Sequence, residues 1–318
     1  MKRISLGHET HVGLVRTSNQ DRYIAKKAPH LPSNASALIA VADGMGGHKG
    51  GEVASELAVE AVLEVLTTSN SKGSSTNQDR LTGTLKEAVL FANNKIYNAA
   101  KDPNLQGMGT TLTTIVIKDM QAFLAHVGDS RAYLVRQGEM CQLTNDHSWV
   151  EEQVRAGLMS PEAASEDTRR NILTRAVGTN PTVEVETSVV DLQQNDTLLV
   201  CSDGLHSLVN NDEIFRIVDS FNAAKACSRL ITAANDRGGN DNITVVISKI
   251  GQVQARSQSR EKTAVLQSNK TVYKSRRSVK HLITLLLKNV VNVPFFVLKT
   301  PFWICFKAIK FVKGKGHS

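Results

Sequence analysis

Seven short runs rich in Val, Ile, Leu and Thr punctuate the first 250 positions: 11–15, 37–42, 111–117, 121–127, 131–136, 196–201 and 242–248. Most are bounded by Gly, Asp or Asn, the pattern of strands that end in turns. The three consecutive runs between 111 and 136 have very short connections, which predicts antiparallel hairpins rather than crossovers. Two stretches have a helical period instead. From Glu52 to Leu66, apolar residues fall at 53, 54, 57, 58, 61, 62, 65 and 66; from Leu81 to Ala100, Leu85, Ala88, Val89, Ala92, Ile96 and Ala99 recur likewise. A further helix is predicted over 222–235. Strands in blocks with long helices grouped apart predict an α+β layered domain, not alternating βαβ units.

Residues 146–180 break the strand pattern. "SWVEEQVRAGLMSPEAASED" reads as a short helix, a glycine stop and a second short helix, a small flap inserted between strands. After Ile250 the text turns polar and aperiodic over 251–280, which predicts a basic flexible linker. The predicted organisation is therefore a domain over 1–250 with its flap at about 146–180, the linker, and a distinct segment over 281–318.

Charge sharpens this division. The net +8 hides a tail from Gly251 to Ser318 with 14 Lys/Arg against the single acid Glu261, and a body with 24 basic and 29 acidic side chains. The tail segment "HLITLLLKNVVNVPFFVLKTPFWICFKAIKFV" spaces Lys288, Lys299 and Lys310 by eleven and crowds Phe295, Phe296, Phe302, Trp303 and Phe306 among them. Its longest run without charge or His is ten residues, short of the ~20 that a spanning helix needs. A cationic amphipathic segment lying on an anionic membrane surface fits better. Its apolar content argues against nucleic acid. Cys141, Cys201, Cys227 and Cys305 are scattered, with no paired spacing, and read as reduced thiols. No apolar stretch follows the N-terminal cations, so no secretory signal is read, and a cytoplasmic setting is expected, peripheral to the membrane if the tail binds it.

The chemistry lies at the strand ends. Asp43, Asp129 and Asp203 each follow a strand-like run within two residues, and Asp241 immediately precedes one. An Asp-Gly after a strand is most often a plain turn. Four ionised carboxylates converging at about 4 Å would repel by about 4 kcal/mol per pair at an effective dielectric near 20. They must be dispersed, protonated or bound to cations, and an oxygen-only set favours Mg2+ or Mn2+ over zinc. Five of the eight residues after Asp43 are glycine, but "DGMGGHKGG" lacks the order of a phosphate-binding loop, and Lys49 stands where a dinucleotide fingerprint needs glycine.

"VADGMGGHKGGEVAS", "GMGTTLTTIVI", "AHVGDSRAYLV", "LLVCSDGLHSLV" and "GGNDNITVVI" stand in the order of the metal-dependent protein phosphatase family, also called PP2C-type or PPM, and resemble its bacterial branch. The resemblance covers about residues 4–250. It implies an αββα sandwich of two antiparallel sheets flanked by helices, and hydrolysis of phosphoserine and phosphothreonine in proteins by a water that two metals activate. It further implies that Asp43 bridges two Mn2+ or Mg2+ ions and that the carbonyl of Gly44 joins it on the second. Asp203 and Asp241 would hold the first ion, and Asp129 with Asp203 a weaker third. Arg16 matches the residue that grips the substrate phosphate, and Asp21 the acid that orients water. A Ser/Thr kinase that the enzyme opposes is implied as a partner. Gln20 stands where many relatives have Glu, which removes a charge near the second ion, and Met45 where animal members carry a His proposed as general acid. His48 reads as a solvated loop residue. His147 and the 157–175 stretch are expected on the substrate-facing surface. The competing reading is a pseudophosphatase, a binding module of the same fold; its mark is loss of a metal aspartate, and all four are present.

Overall fold

Strand β3, Ala37–Met45, carries the logic of the layers. Ala37, Ile39 and Val41 pack into one apolar layer with Ile115, Leu124, Leu198, Val200 and Val246. The intervening Leu38, Ala40 and Ala42 pack the opposite way, against Ala54, Ala58, Val62, Leu85 and Val89. A strand buried on both faces has no polar alternation, hence the continuous apolar run over 37–42.

The computed structural model describes residues 4–251, apart from 30, 32–34, 48 and 69–76, together with Ile309–Lys310. One sheet has five strands in the order β1 (Ile4–His11), β11 (Ile243–Ile250), β10 (Thr197–Cys201), β7 (Arg131–Arg136) and β8 (Glu139–Gln142). The other runs β12 (Ile309–Lys310), β9 (Glu186–Asp191), β6 (Gln121–Val127), β5 (Leu112–Lys118), β3 and β2 (Asp21–Lys27), with β4 (Gly109–Thr110) paired to β3 off that path. Every pairing is antiparallel. Helices α1 (Gly50–Thr68) and α2 (Asn77–Ala99) cover the larger sheet, while α6 (Asn211–Ser220) and α7 (Ala223–Asn235) cover the smaller. The result is the expected αββα sandwich of the α+β class. Asn210 and Asn222 cap α6 and α7 by accepting from the amides of Glu213 and Lys225. Within 146–180 lie α3 (Trp149–Arg155) and α4 (Pro161–Glu166), separated by Gly157 at φ +71°.

Two sequence expectations are corrected. Residues 12–15 are not a strand: β1 ends at His11, whose Nδ1 accepts from the amide of Gly13. Gly13 sits at φ +83°, where a Cβ would meet the backbone of Asp241, so the chain turns there in close contact with the segment before β11. The runs over 111–136 do not form two hairpins either. β5 and β6 pair across Asp119 and Met120, at φ 49° and 62°, as a two-residue hairpin should. After β6 the chain instead crosses to the other sheet through Gly128, at φ +111°. The apolar layer between the sheets drives this crossing, because β6 and β7 each present a hydrophobic face to it.

Cys201 and Cys227 are buried free thiols, both pushed up to about 12 by burial. The linker expected over 251–280 and the segment over 281–318 lie outside the described residues, save Gly251 and the two residues of β12, whose backbone pairs with Val189 and Val190.

Candidate metal centre

The strand ends of both sheets meet at one rim of the sandwich. β2 and β3 pair so that Asp21 stands directly opposite Asp43, an arrangement of like charges that a sheet does not tolerate without compensation. From the smaller sheet come Asp203, which follows β10 and opens the one-turn helix α5 (Asp203–His206), and Asp241, just before β11. Asp129 lies in the crossing between the sheets. A cleft of about 540 Å3 is lined by Arg16, Asp43, Gly44, Asp129, Asp203 and Asp241. Asn171, Leu173, Thr174, Ala176, Thr179 and Asn180 form its other wall, and Gln20 and Met45 also reach it. Asp21, the acid expected to orient water, is set behind the lining, 2% exposed.

Small polar side chains fix the acids. The amide of Asp43 donates to Thr111 Oγ1 at 2.9 Å, and its carbonyl accepts from Thr111 N and Thr110 Oγ1, each at 2.9 Å. Ser130 is bonded to Thr111 at 2.8 Å, which ties the Asp43 and Asp129 loops together. Ser202 donates to Asp21 Oδ2 at 2.8 Å and accepts from Thr244 N, joining β2 to the ends of β10 and β11. Asn242 accepts from Gln20 N and donates to the carbonyls of Val12 and Ser18, so it pins the loop that carries Arg16. Sequence reasoning missed Thr111, Ser202 and Asn242. Their signal was present in the quoted motifs, as hydroxyl or amide residues beside or paired with each acid.

The glycines serve close approach. A Cβ on Gly44 would stand 2.0 Å from the carbonyl oxygen of Gly51 and 2.6 Å from that of Gln20. The first turn of α1 therefore closes directly onto the end of β3. His147, expected on the substrate-facing surface, is fully buried. Its Nδ1 accepts from Gly128 N at 3.1 Å and its Nε2 faces Glu186 at 3.3 Å. His48 lies outside the described residues.

The acids are held in an unfavourable state. Burial, then the charges of Asp21, Asp203, Asp129 and Asp241, pushes Asp43 well above the carboxylate range. Burial raises Asp21 to about 7 against the lowering hydrogen bonds of Thr244 and Ser202, and burial with Asp203 raises Asp129 to about 8. Asp203 is raised by burial and by Asp241. Asp21 Oδ1 and Asp203 Oδ1 are buried with no hydrogen-bond partner. Among the described residues no three His, Cys, Asp or Glu groups stand as a finished coordination sphere. The donor set nevertheless fits hard divalent cations: it is all oxygen, crowded, short of protons to share, and includes orphaned oxygens. Among the described residues Arg16 supplies the one positive group in the lining, its Nη2 2.8 Å from Asp241 Oδ2; that hydrogen bond first, and the Asp241 charge, raise its pKa.

A two-sheet sandwich whose acidic strand ends share a cleft with one arginine defines a class of cation-dependent phosphate-handling proteins. The comparisons narrow it. The sequence profile described as Protein phosphatase 2C matches residues 15–235. The serine/threonine phosphatase stp of Listeria innocua is 41% identical over 216 residues, which is 66% of this chain and 83% of that protein. Protein phosphatase PhpP of Streptococcus pneumoniae is 38% identical over 248 residues, 77% of this chain and 97% of that protein. The crystal structure of the PstP catalytic domain in complex with two manganese ions is 33% identical, with a TM-score of 0.66, and covers 79% of this chain and 100% of that one. The chain belongs to the protein phosphatase 2C family.

Proposed function

We propose that this chain hydrolyses phosphoserine and phosphothreonine in proteins, with Mn2+ or Mg2+ held by its strand-end aspartates. The observation that carries the reading is the convergence of Asp43, Asp129, Asp203 and Asp241 from both sheets on the cleft that Arg16 borders. Asp43 and the carbonyl of Gly44 would hold one ion, Asp43 with Asp203 and Asp241 a second, and Asp129 with Asp203 a weaker third. When bound, the ions supply Lewis-acid activation of water and neutralise charge on the phosphate. The chain's own residues set the rest. Thr110, Thr111 and Ser130 hold the Asp43 and Asp129 loops in register. Asp21, bonded to Ser202, braces the acids from behind and would orient water. Arg16, bonded through Nη2 to Asp241, offers its remaining N–H donors as a planar fork to two phosphate oxygens. Among the described residues no imidazole lines the cleft, and solvent would supply the proton to the leaving oxygen. The 171–180 wall excludes water from one side of the phosphoresidue.

Dephosphorylation of phosphoserine and phosphothreonine peptides, with phosphotyrosine as control, tests this directly. Turnover must appear with Mn2+ and vanish with EDTA; metal-independent or phosphotyrosine-selective turnover would refute it. Arg16→Ala is expected to lower kcat/KM by about 30- to 150-fold, chiefly through KM, the loss of a charge-assisted pair worth about 2–3 kcal/mol. Arg16→Lys should recover only part, since an ammonium lacks the fork. A wild-type KM for Arg16→Ala would remove Arg16 from the phosphate site.

The activity needs a Ser/Thr kinase to load the phosphate, and we assign such a kinase as the opposing partner. For the cationic 281–318 segment we propose a cytoplasmic membrane surface rich in anionic lipid, worth about 1 kcal/mol per basic residue. Flotation with anionic vesicles should carry the full chain and leave a 1–250 fragment behind; retention of neither at low salt would end that assignment.

A further inference from the structure

The crossing that carries Asp129 is gripped from two sides. On one, the His147 amide donates to Gly128 O at 2.8 Å while Gly128 N donates to the His147 ring. On the other, His206 Nε2 stands 3.1 Å from the carbonyl oxygen of Asp129 and donates to it. The backbone here has left the β6 ladder, and Gly128, at φ +111°, gives it freedom to rotate. His206 replaces the missing ladder partner.

The origin of that ring matters. α5 is a single turn: Asp203 is its first residue and His206 its last. Residues three apart lie on one face of a helix, so the same turn presents a carboxylate to the cleft and an imidazole to the backbone of the neighbouring carboxylate. α5 itself is anchored in the smaller sheet's outer core, with Leu205 fully buried and a Cβ on Gly204 only 2.1 Å from the Asn242 carbonyl. A change in the His206 bond therefore moves Asp129 relative to a fixed Asp203.

We infer that His206 is a positioning residue that sets Asp129 against Asp203, and through that spacing the affinity of the cation site these two carboxylates share. The inference rests on the assignment, made above, of Asp129 and Asp203 to the weaker third ion. Groups one shell removed from a metal typically change its affinity 10- to 100-fold when lost. Here the weakest ion should respond most, because the backbone of Asp43 is fixed by its own bonds to Thr110 and Thr111, and only the Thr111–Ser130 bond links it to the Asp129 loop.

Equilibrium Mn2+ binding to the full chain, followed by the electron paramagnetic resonance of free Mn2+, tests it. His206→Phe keeps the ring's bulk and removes the donor. It should raise the Mn2+ concentration that half-fills the weakest site by about tenfold and leave the tighter ions within about twofold. His206→Gln, whose amide nitrogen reaches as far as Nε2, should restore most of the affinity. On an Asp129→Asn background, His206→Phe should have no further effect on Mn2+ binding. Unchanged weak-site binding in His206→Phe, equal loosening of all ions, or an effect that persists without the Asp129 charge would each overturn the inference. If His206→Phe does not fold, the His206→Gln and His206→Asn pair makes the same comparison, because the asparagine is one methylene too short to reach. A wild-type chain that binds no Mn2+ would instead defeat the metal assignment itself, an outcome distinct from failure of His206 alone.

Discussion

Asp43→Asn is expected to lower phosphopeptide turnover by at least ~10^3-fold, the loss of about 4 kcal/mol of transition-state stabilisation if the ligand proposed to be shared by two ions goes. The same substitution should make the metal-free protein more stable. Asp43 is desolvated and faces Asp21, Asp203, Asp129 and Asp241. An asparagine of equal shape removes the charge and can donate a hydrogen bond to one of them. A gain of about 1–3 kcal/mol is expected in EDTA, the size of an unfavourable buried polar group relieved. Thermal melts with and without Mn2+ read both sides. The variant should melt above wild type in EDTA and fail to gain when Mn2+ is added. Wild-type turnover, or a lower melting temperature in EDTA, would contradict the role given to Asp43.

The metal-free protein should lose stability as pH rises from about 6.5 to 8. The carboxyls of Asp21 and Asp129 titrate near 7 and 8 in the folded chain, against about 3.9 when unfolded. Their folded pKa values are raised, so their stabilising contribution is complete below about pH 4 and is lost as pH climbs to the folded values. The slope is up to about 1.4 kcal/mol per pH unit for each proton retained. Buried histidines have the opposite sign. Burial lowers His126 to about 4 and His206 to about 3, so they cost stability only as pH falls below about 6.5. The window above 6.5 therefore isolates the aspartates. With Mn2+ the slope should flatten or reverse, because the ion displaces those protons and binds better as they leave. The Mn2+-induced rise in melting temperature should accordingly be larger at pH 8 than at pH 6.5. A melt insensitive to both pH and Mn2+ across this window would show that the acids are not crowded in solution.

Much of this is legible in the sequence. β3, β5, β6, β7, β10 and β11 announce themselves because each is mostly buried and rich in Val, Ile, Leu, Ala and Thr. α1, α2 and α7 do so by their period. β2, "DRYIAKK", escaped because as an edge strand it buries only Asp21 and Ile24, and one of those is a carboxylate. β8 is a four-residue edge with no buried side chain. α6 went unread because only Ile214 and Val218 of its ten residues are fully buried. The strand-end aspartates were visible as a set, since placement at a rigid terminus leaves a mark in sequence. That they meet was not derivable from spacing: it depends on the β6 to β7 crossing, which pattern alone read as a hairpin. The burial of His147 was hidden for a similar reason, because its partners Gly128 and Glu186 are 19 and 39 residues away.

Asp21 and Asp43 belong to one sheet and Asp203 and Asp241 to the other, so the apolar layer between the sheets acts as a ruler. Ile39, Val41, Leu198 and Val246 hold the two halves of the acidic rim, the proposed cation site, at a fixed separation from beneath it. An interior this close-packed transmits a change of one methylene as a displacement rather than absorbing it. Side chains that never touch phosphate thus calibrate the distance across which it is handled. Drift in the core would reach activity through geometry well before it threatened the fold.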